Sequence, residues 1–184
     1  MCSSDLGGNE VIVKLLLENG AEVNAEGGRF GNALQMASFR GTKGIVKLLL
    51  ENGAEVNAKG GRFGNAIQAA SCEGYKAVIK LLLQDGVVDG EKYGDVLQPV
   101  SGEEYEAIVK LLLENGAGVN AEGGEYGNAL QAASFRGNEA IVRLLLENGA
   151  EVNVKGGKYG SALQAALYEG YEVIVELLLN YGQM

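Results

Sequence analysis

The sequence predicts an all-α solenoid of stacked helix-turn-helix units with short β-turn fingers. Three observations carry this. A leucine triplet begins at Leu15, Leu48, Leu81, Leu111, Leu144 and Leu177, with spacings of 33, 33, 30, 33 and 33 residues. A helix-capping residue followed at the third helical position by Gln recurs with the same period, as Asn32…Gln35, Asn65…Gln68, Asp95…Gln98, Asn128…Gln131 and Ser161…Gln164. Glycines fall at fixed places between these marks. Self-similarity at a period of roughly 20–50 residues marks a repeat array rather than one globular core.

The stretch 31–63 stands for one unit. Asn32 is a good N-cap, and Gln35 can reach back to the cap's N–H to complete a capping box. A short helix of small residues follows, seen again as Ala69-Ala70-Ser71 and Ala132-Ala133-Ser134, and small residues let neighbouring helices approach closely. Gly41, Gly74, Gly137 and Gly170 supply the left-handed residue that ends this helix. The second helix, Ile45-Val46-Lys47-Leu48-Leu49-Leu50-Glu51, has apolar residues spaced to form a broad buried stripe. Gly20, Gly53, Gly86, Gly116, Gly149 and Gly182 are expected to stop it. The segment Gly60-Gly61-Arg62-Phe63-Gly64 then reads as a turn or β-finger projecting from the helix pair. A helix pair this short cannot bury its apolar faces alone, whereas stacked copies can.

With its period of 33 residues, LLLENGAEVNA followed by helix-turn-helix resembles the ankyrin repeat. Where that family usually opens its first helix with Thr-Pro-Leu-His, this chain has Asn32-Ala33-Leu34-Gln35 and its copies. The variant form GGxYGNALQAAS is similar to ankyrin arrays of filamentous fungi, often attached to NACHT-type nucleotide-binding modules. The resemblance implies helix-pair units over 31–63, 64–93, 94–126, 127–159 and 160–184, after a half-unit over 7–30 with only a second helix and a finger. Neither end of this 7–184 array reads as a polar cap, so the chain is expected to be a segment of a longer array or to associate end to end through its uncapped N-terminal face. The first six residues, MCSSDL, have no counterpart in later units and match the translated end of a sequencing adapter. They are expected to be foreign to the gene.

In ankyrin arrays the finger tips and the ends of the first helices line a concave groove. Carried over by position, the tips here are Arg29-Phe30, Arg62-Phe63, Lys92-Tyr93, Glu125-Tyr126 and Lys158-Tyr159. The helix ends are Phe39-Arg40, Cys72-Glu73, Gly102-Glu103, Phe135-Arg136 and Tyr168-Glu169. Aromatic residues and Arg dominate protein interfaces. Phe30, Phe63, Tyr126 and Tyr159 share one repeated site, so stacking between adjacent fingers explains them equally well. Their charge-variable neighbours are the better candidates for specificity.

The unit 94–126 departs from the pattern. Its preceding finger is three residues short, Pro99 falls inside its first helix, and Glu104 stands where other units have the helix-ending glycine. A proline there removes a backbone hydrogen bond and crowds the cap. We read this unit as a degenerating repeat, with a hinge or specialised contact as the alternative.

Composition excludes several function classes. A formal net charge of −9 and a pI near 4.6 oppose binding to nucleic acid or to anionic membrane surfaces. Histidine is absent, removing the commonest general base and metal ligand. Two cysteines, Cys2 and Cys72, build neither a disulfide framework nor a zinc site. Sparse cysteine and the lack of a signal peptide fit an intracellular setting. The glycine-rich segments lack the Lys-Ser/Thr pair of a phosphate loop and recur in unit after unit. Lys14, Lys47, Lys110 and Arg143 each precede a Glu by four residues (Glu18, Glu51, Glu114 and Glu147), which reads as charge pairing on a solvated outer face. The expected function is a non-enzymatic, cofactor-free protein-binding module. The alternatives are the sensor segment of a larger nucleotide-dependent receptor and the targeting array of a fused enzyme.

Overall fold

The computed structural model describes residues 3–85, 103–123 and 125–183. Ten helices lie among them: α1 (Ser3–Glu18), α2 (Ala33–Phe39), α3 (Lys43–Glu51), α4 (Ala66–Cys72), α5 (Lys76–Asp85), α6 (Glu103–Glu114), α7 (Ala129–Phe135), α8 (Glu139–Glu147), α9 (Ala162–Glu169) and α10 (Glu172–Tyr181). Contacts divide the chain into two compact units, Met1–Val87 and Val88–Met184. In the first, α2 and α3 pack as a pair, as do α4 and α5, while α4 stacks on α2 and α5 on α3; α1 covers the other side of α3. In the second, α9 stacks on α7 and α10 on α8, with α6 also against α8. Each unit has the all-α architecture of an ankyrin-type solenoid, with short and long helices alternating within it.

The sequence explains the alternation. In α2 and α7 the N-cap Asn side chain accepts from the Gln backbone N–H at 2.9 Å, and the Gln side chain accepts from the Asn N–H at 2.8 Å. In α4 and α9 the side chains of Asn65 and Ser161 likewise accept from the third helical N–H. The short helices end at glycines with positive φ, including Gly41 at 66° and Gly137 at 71°. Their alanines are buried, Ala66, Ala69 and Ala70 in α4 and Ala162, Ala165 and Ala166 in α9, so first helices meet with nothing larger than a methyl group at these positions. The middle leucine of every triplet after the first, Leu49, Leu82, Leu112, Leu145 and Leu178, is fully buried, while Lys47, Lys80 and Lys110 two residues earlier are exposed. Burying one leucine contributes about 1.5–3 kcal/mol, so this column is the spine of each stack.

Four features depart from expectation. Helix α1 begins at Ser3 and so takes in residues 3–6, ahead of the half-unit boundary at 7. Helix α6 begins at Glu103, three residues earlier than its repeats: Glu104, lacking the freedom of glycine, continues the helix instead of breaking it. Gly182 caps α10 at φ −74°, not left-handed. At Gly20, Gly53, Gly116 and Gly149 the residue after this glycine is an alanine whose N–H bonds back to the middle leucine carbonyl, as Ala54 does to Leu49 and Ala150 to Leu145 at 3.0 and 2.9 Å. The exposed Gln183 stands there instead, and at this end the N–H of Gly182 itself donates to the Leu178 carbonyl at 2.9 Å. Arg143 turns back to Glu139 at 2.7 Å rather than forward to Glu147, whereas Lys14–Glu18 and Lys47–Glu51 pair as expected at 3.9 and 3.6 Å. Pro99, the Asp95…Gln98 cap, Gly86, Gly102 and the tip Lys92-Tyr93 lie outside the described residues.

Candidate protein-binding surface

Each of the four described fingers is a five-residue loop closed on itself. The N–H of Gly27 donates to the carbonyl of Gly31 at 2.7 Å, Gly60 to Gly64 at 2.8 Å, Gly123 to Gly127 at 2.7 Å and Gly156 to Gly160 at 2.8 Å. Neighbouring fingers are joined by their backbones, Arg62 N–H to the Arg29 carbonyl and Lys158 N–H to the Glu125 carbonyl, both at 3.0 Å. That approach requires glycine at 61 and 157. Both have φ near +60°, and a side-chain carbon on either would collide with the carbonyl of Phe30 or Tyr126.

The capping glutamines have a second task. The side-chain amide of Gln35 is aimed at the carbonyls of Ala58, Gly60 and Gly64 at 3.0–3.2 Å. That of Gln131 reaches Val154, Gly156 and Gly160 at 3.1–3.4 Å. One buried side chain thus fixes its own helix start and the following finger. Asn24 and Asn120 act similarly on the loops after the second helices, accepting from the N–H of Glu55 and Glu151 at 2.9 and 2.8 Å. The period marked the glutamines in the sequence, but the cross-repeat bonds needed the fold to become visible.

This framework carries the aromatic residues. In the first unit the Phe39 ring, from the end of α2, lies between the finger rings Phe30 and Phe63, with centroids 5.4 and 4.6 Å away. In the second unit Phe135 lies between Tyr126 and Tyr159 at 5.0 and 4.4 Å, and Tyr168 extends the row 5.2 Å beyond Tyr159. The tips and helix ends, two separate sets in the sequence, form one interleaved ladder within each unit. The finger aromatics therefore do stack, and the helix-end rings are what they stack through. All are half-buried except Tyr168, which is 72% exposed.

Cations lie over the rings: Arg62 over Phe63 at 4.7 Å, Arg136 over Tyr126 at 5.5 Å and Lys158 over Tyr159 at 5.4 Å. Such contacts contribute about 0.5–1 kcal/mol at exposed sites and hold the cation in place. Lys158 also bonds Glu125 on the preceding tip at 2.8 Å, and that bond raises its pKa. Arg29, Arg40, Glu73 and Glu169 are exposed. Cys72 occupies the place of Phe39 and Phe135 and is half-buried; burial first, then Glu73, pushes its thiol pKa up, while Arg62 opposes. It is therefore held as a thiol, not as a nucleophilic thiolate. The backbone at Glu103 belongs to the first turn of α6, not to the end of a first helix.

Among the described residues no group of three or more acidic or thiol side chains could hold a metal ion, and no helix is long and apolar enough to cross a membrane. Charge is unevenly divided. Up to Val87 the chain carries nine acidic and nine basic residues; from Val88 on it carries fifteen and six, so the whole net charge of −9 belongs to the second unit.

The family model for ankyrin repeats matches residues 1–93 and 96–184. The chain is similar in structure to the human ASB11 ankyrin repeat domain, with a TM-score of 0.75 and 26% identity over 96% of this chain and 80% of that one. It is also similar to an ankyrin repeat domain from Acinetobacter baumannii AYE, with a TM-score of 0.77 and 28% identity over 96% of this chain and 94% of that one. No curated protein matches. Ankyrin repeats serve in general as protein–protein interaction modules and are typically not catalysts. By sequence family and by fold, this chain belongs to the ankyrin repeat proteins.

Proposed function

We propose that the chain is a non-catalytic, intracellular protein-binding module that holds its partner against the finger tips and the ends of the first helices. The ladder of rings carries this reading. Its rings are only half-buried, its neighbours are exposed charges that change from unit to unit, and the hydrogen-bonded fingers fix it before any partner arrives. Aromatic rings set in a rigid frame lose little entropy on binding and offer large contact area. Stacking explains why the rings recur; it does not explain why Arg29 and Arg62 become Glu125 and Lys158 at the same positions, whereas selection for a particular partner does.

The test is a pair of triple variants. Arg40→Ala, Glu73→Ala and Arg136→Ala together are expected to weaken partner capture with helicity intact. Lys47→Ala, Lys80→Ala and Lys110→Ala on the exposed outer helix face are expected to leave it unchanged. Equal loss from both sets would refute the assignment of the surface.

A further inference from the structure

We propose that the finger face of the first unit takes an acidic polypeptide segment that also carries an apolar side chain. This deepens the reading above and rests on it.

Charge is the first argument. Arg29, Arg40 and Arg62 are exposed, and none has an ion-pair partner among the described residues. Arg62 is held above Phe63, and its backbone bond to Arg29 sets the two finger tips one repeat apart. Lys59 adds a cation at the base of the second finger, where Glu26 stands in the first; Glu73 is the other nearby carboxylate. In the second unit the equivalent tip cation, Lys158, is already engaged by Glu125. The first unit is also neutral overall, so an acidic ligand meets no long-range repulsion from it, as it would from the second.

The second argument is shape. Tyr159 is flanked by Phe135 on one side and Tyr168 on the other. Phe63 is flanked by Phe39, but at the position of Tyr168 stands the much smaller Cys72. Among the described residues the ladder of the first unit therefore has three rings, Phe30, Phe39 and Phe63, each half-buried and so still open on one side to a partner. An aliphatic or aromatic side chain from a partner would pack on the open side of these rings, with its flanking carboxylates reaching the guanidinium groups. Bidentate pairing favours Arg over Lys for holding carboxylates.

A phage-displayed library of random short peptides, selected on the full chain, tests this. The selected peptides are expected to be rich in Asp and Glu around an apolar residue. Removing Arg29, Arg40 and Arg62 together by alanine substitution is expected to weaken them roughly tenfold, the combined effect of three partly exposed charge pairs. Phe63→Ala, which removes a ring of the ladder without altering charge, is expected to weaken them several-fold. Neutral or basic consensus peptides, indifference to the arginines, or displacement of the peptides by single-stranded oligothymidylate that binds more tightly would each overturn the proposal. Selected peptides that depend on Phe135 and Lys158 but not on the arginines would overturn it while leaving the general reading intact. If neither finger face binds any peptide, both fall.

Discussion

In the first unit Arg62 leans over Phe63 while Arg29 and Arg40 stand without a carboxylate; in the second Lys158 leans over Tyr159 but is tied to Glu125 at 2.8 Å. Among the described residues the first ladder is built of three phenylalanines, with Cys72 where the second has Tyr168, and the second of three tyrosines and one phenylalanine. Beneath these differences the frames match closely. Gln35 and Gln131 cap their own helices and grip the next finger in the same way, and the two finger-to-finger bonds have the same length. Positions that keep one identity through the repeats build the frame, and positions that change are displayed on its outer edge. The two units are the same support presenting different chemistry.

The largest expected effects are on the shared frame and should be equal in both units. Leu49→Ala and Leu145→Ala each remove a fully buried side chain and should cost about 2–5 kcal/mol in urea denaturation. Leu16→Ala, at the same place in α1 but 55% exposed, should cost under about 1 kcal/mol. A large loss there would mean that α1 is covered in solution.

Next come Gly61→Val and Gly157→Val, which force a branched side chain into positive φ against a neighbouring finger carbonyl. About 2–4 kcal/mol is expected from each, combining backbone strain with overpacking. If one is tolerated and its counterpart is not, the frames are not equivalent.

A smaller effect should separate the units. The Ser134 hydroxyl donates to the Leu130 carbonyl at 2.7 Å, whereas the Ser38 and Ser71 hydroxyls are buried with no partner. Ser134→Ala should cost up to about 1 kcal/mol, while Ser38→Ala and Ser71→Ala should be neutral or stabilising, because they remove an unsatisfied group. Thermal melts of the three variants check the order.

The smallest effect is chemical. In a Cys2→Ser background, Cys72 should react with a disulfide reagent more slowly than an exposed cysteine at neutral pH, and its rate should keep rising above the ordinary thiol pKa. Glu73→Gln should shift that rise to lower pH and Arg62→Ala to higher pH. Fast reaction at neutral pH would show that the thiol is more open in solution than its half-burial implies.

Much of the frame is legible in the sequence. The leucine triplets and capping pairs recur because every stacked unit meets the same neighbours, so the period records the fold directly. What the sequence hid were choices between equivalent partners. Arg143 has a glutamate four residues away on either side, Glu139 and Glu147, and nothing local decides between them. Gly182 ends its helix with φ −74° although its described glycine counterparts turn left-handed, and nothing in the residue type itself distinguishes it. The ladder was half legible. Each ring's period placed it on a finger or a helix end, but the interleaving of Phe39 between Phe30 and Phe63 arises only when residues 33 apart meet across the stack. The charge difference between the units was likewise present in the sequence, but it acquires meaning only with the boundary at Val87.

The most direct test of a finger-borne binding surface is amide NMR of the full chain titrated with a peptide selected on it. Shifts should concentrate at the tips and first-helix ends, around Arg29, Arg40 and Phe63 in the first unit, and leave Lys47, Lys80 and Arg143 on the outer helices still. Shifts that gather on those outer helices, with the fingers unmoved, would contradict the account.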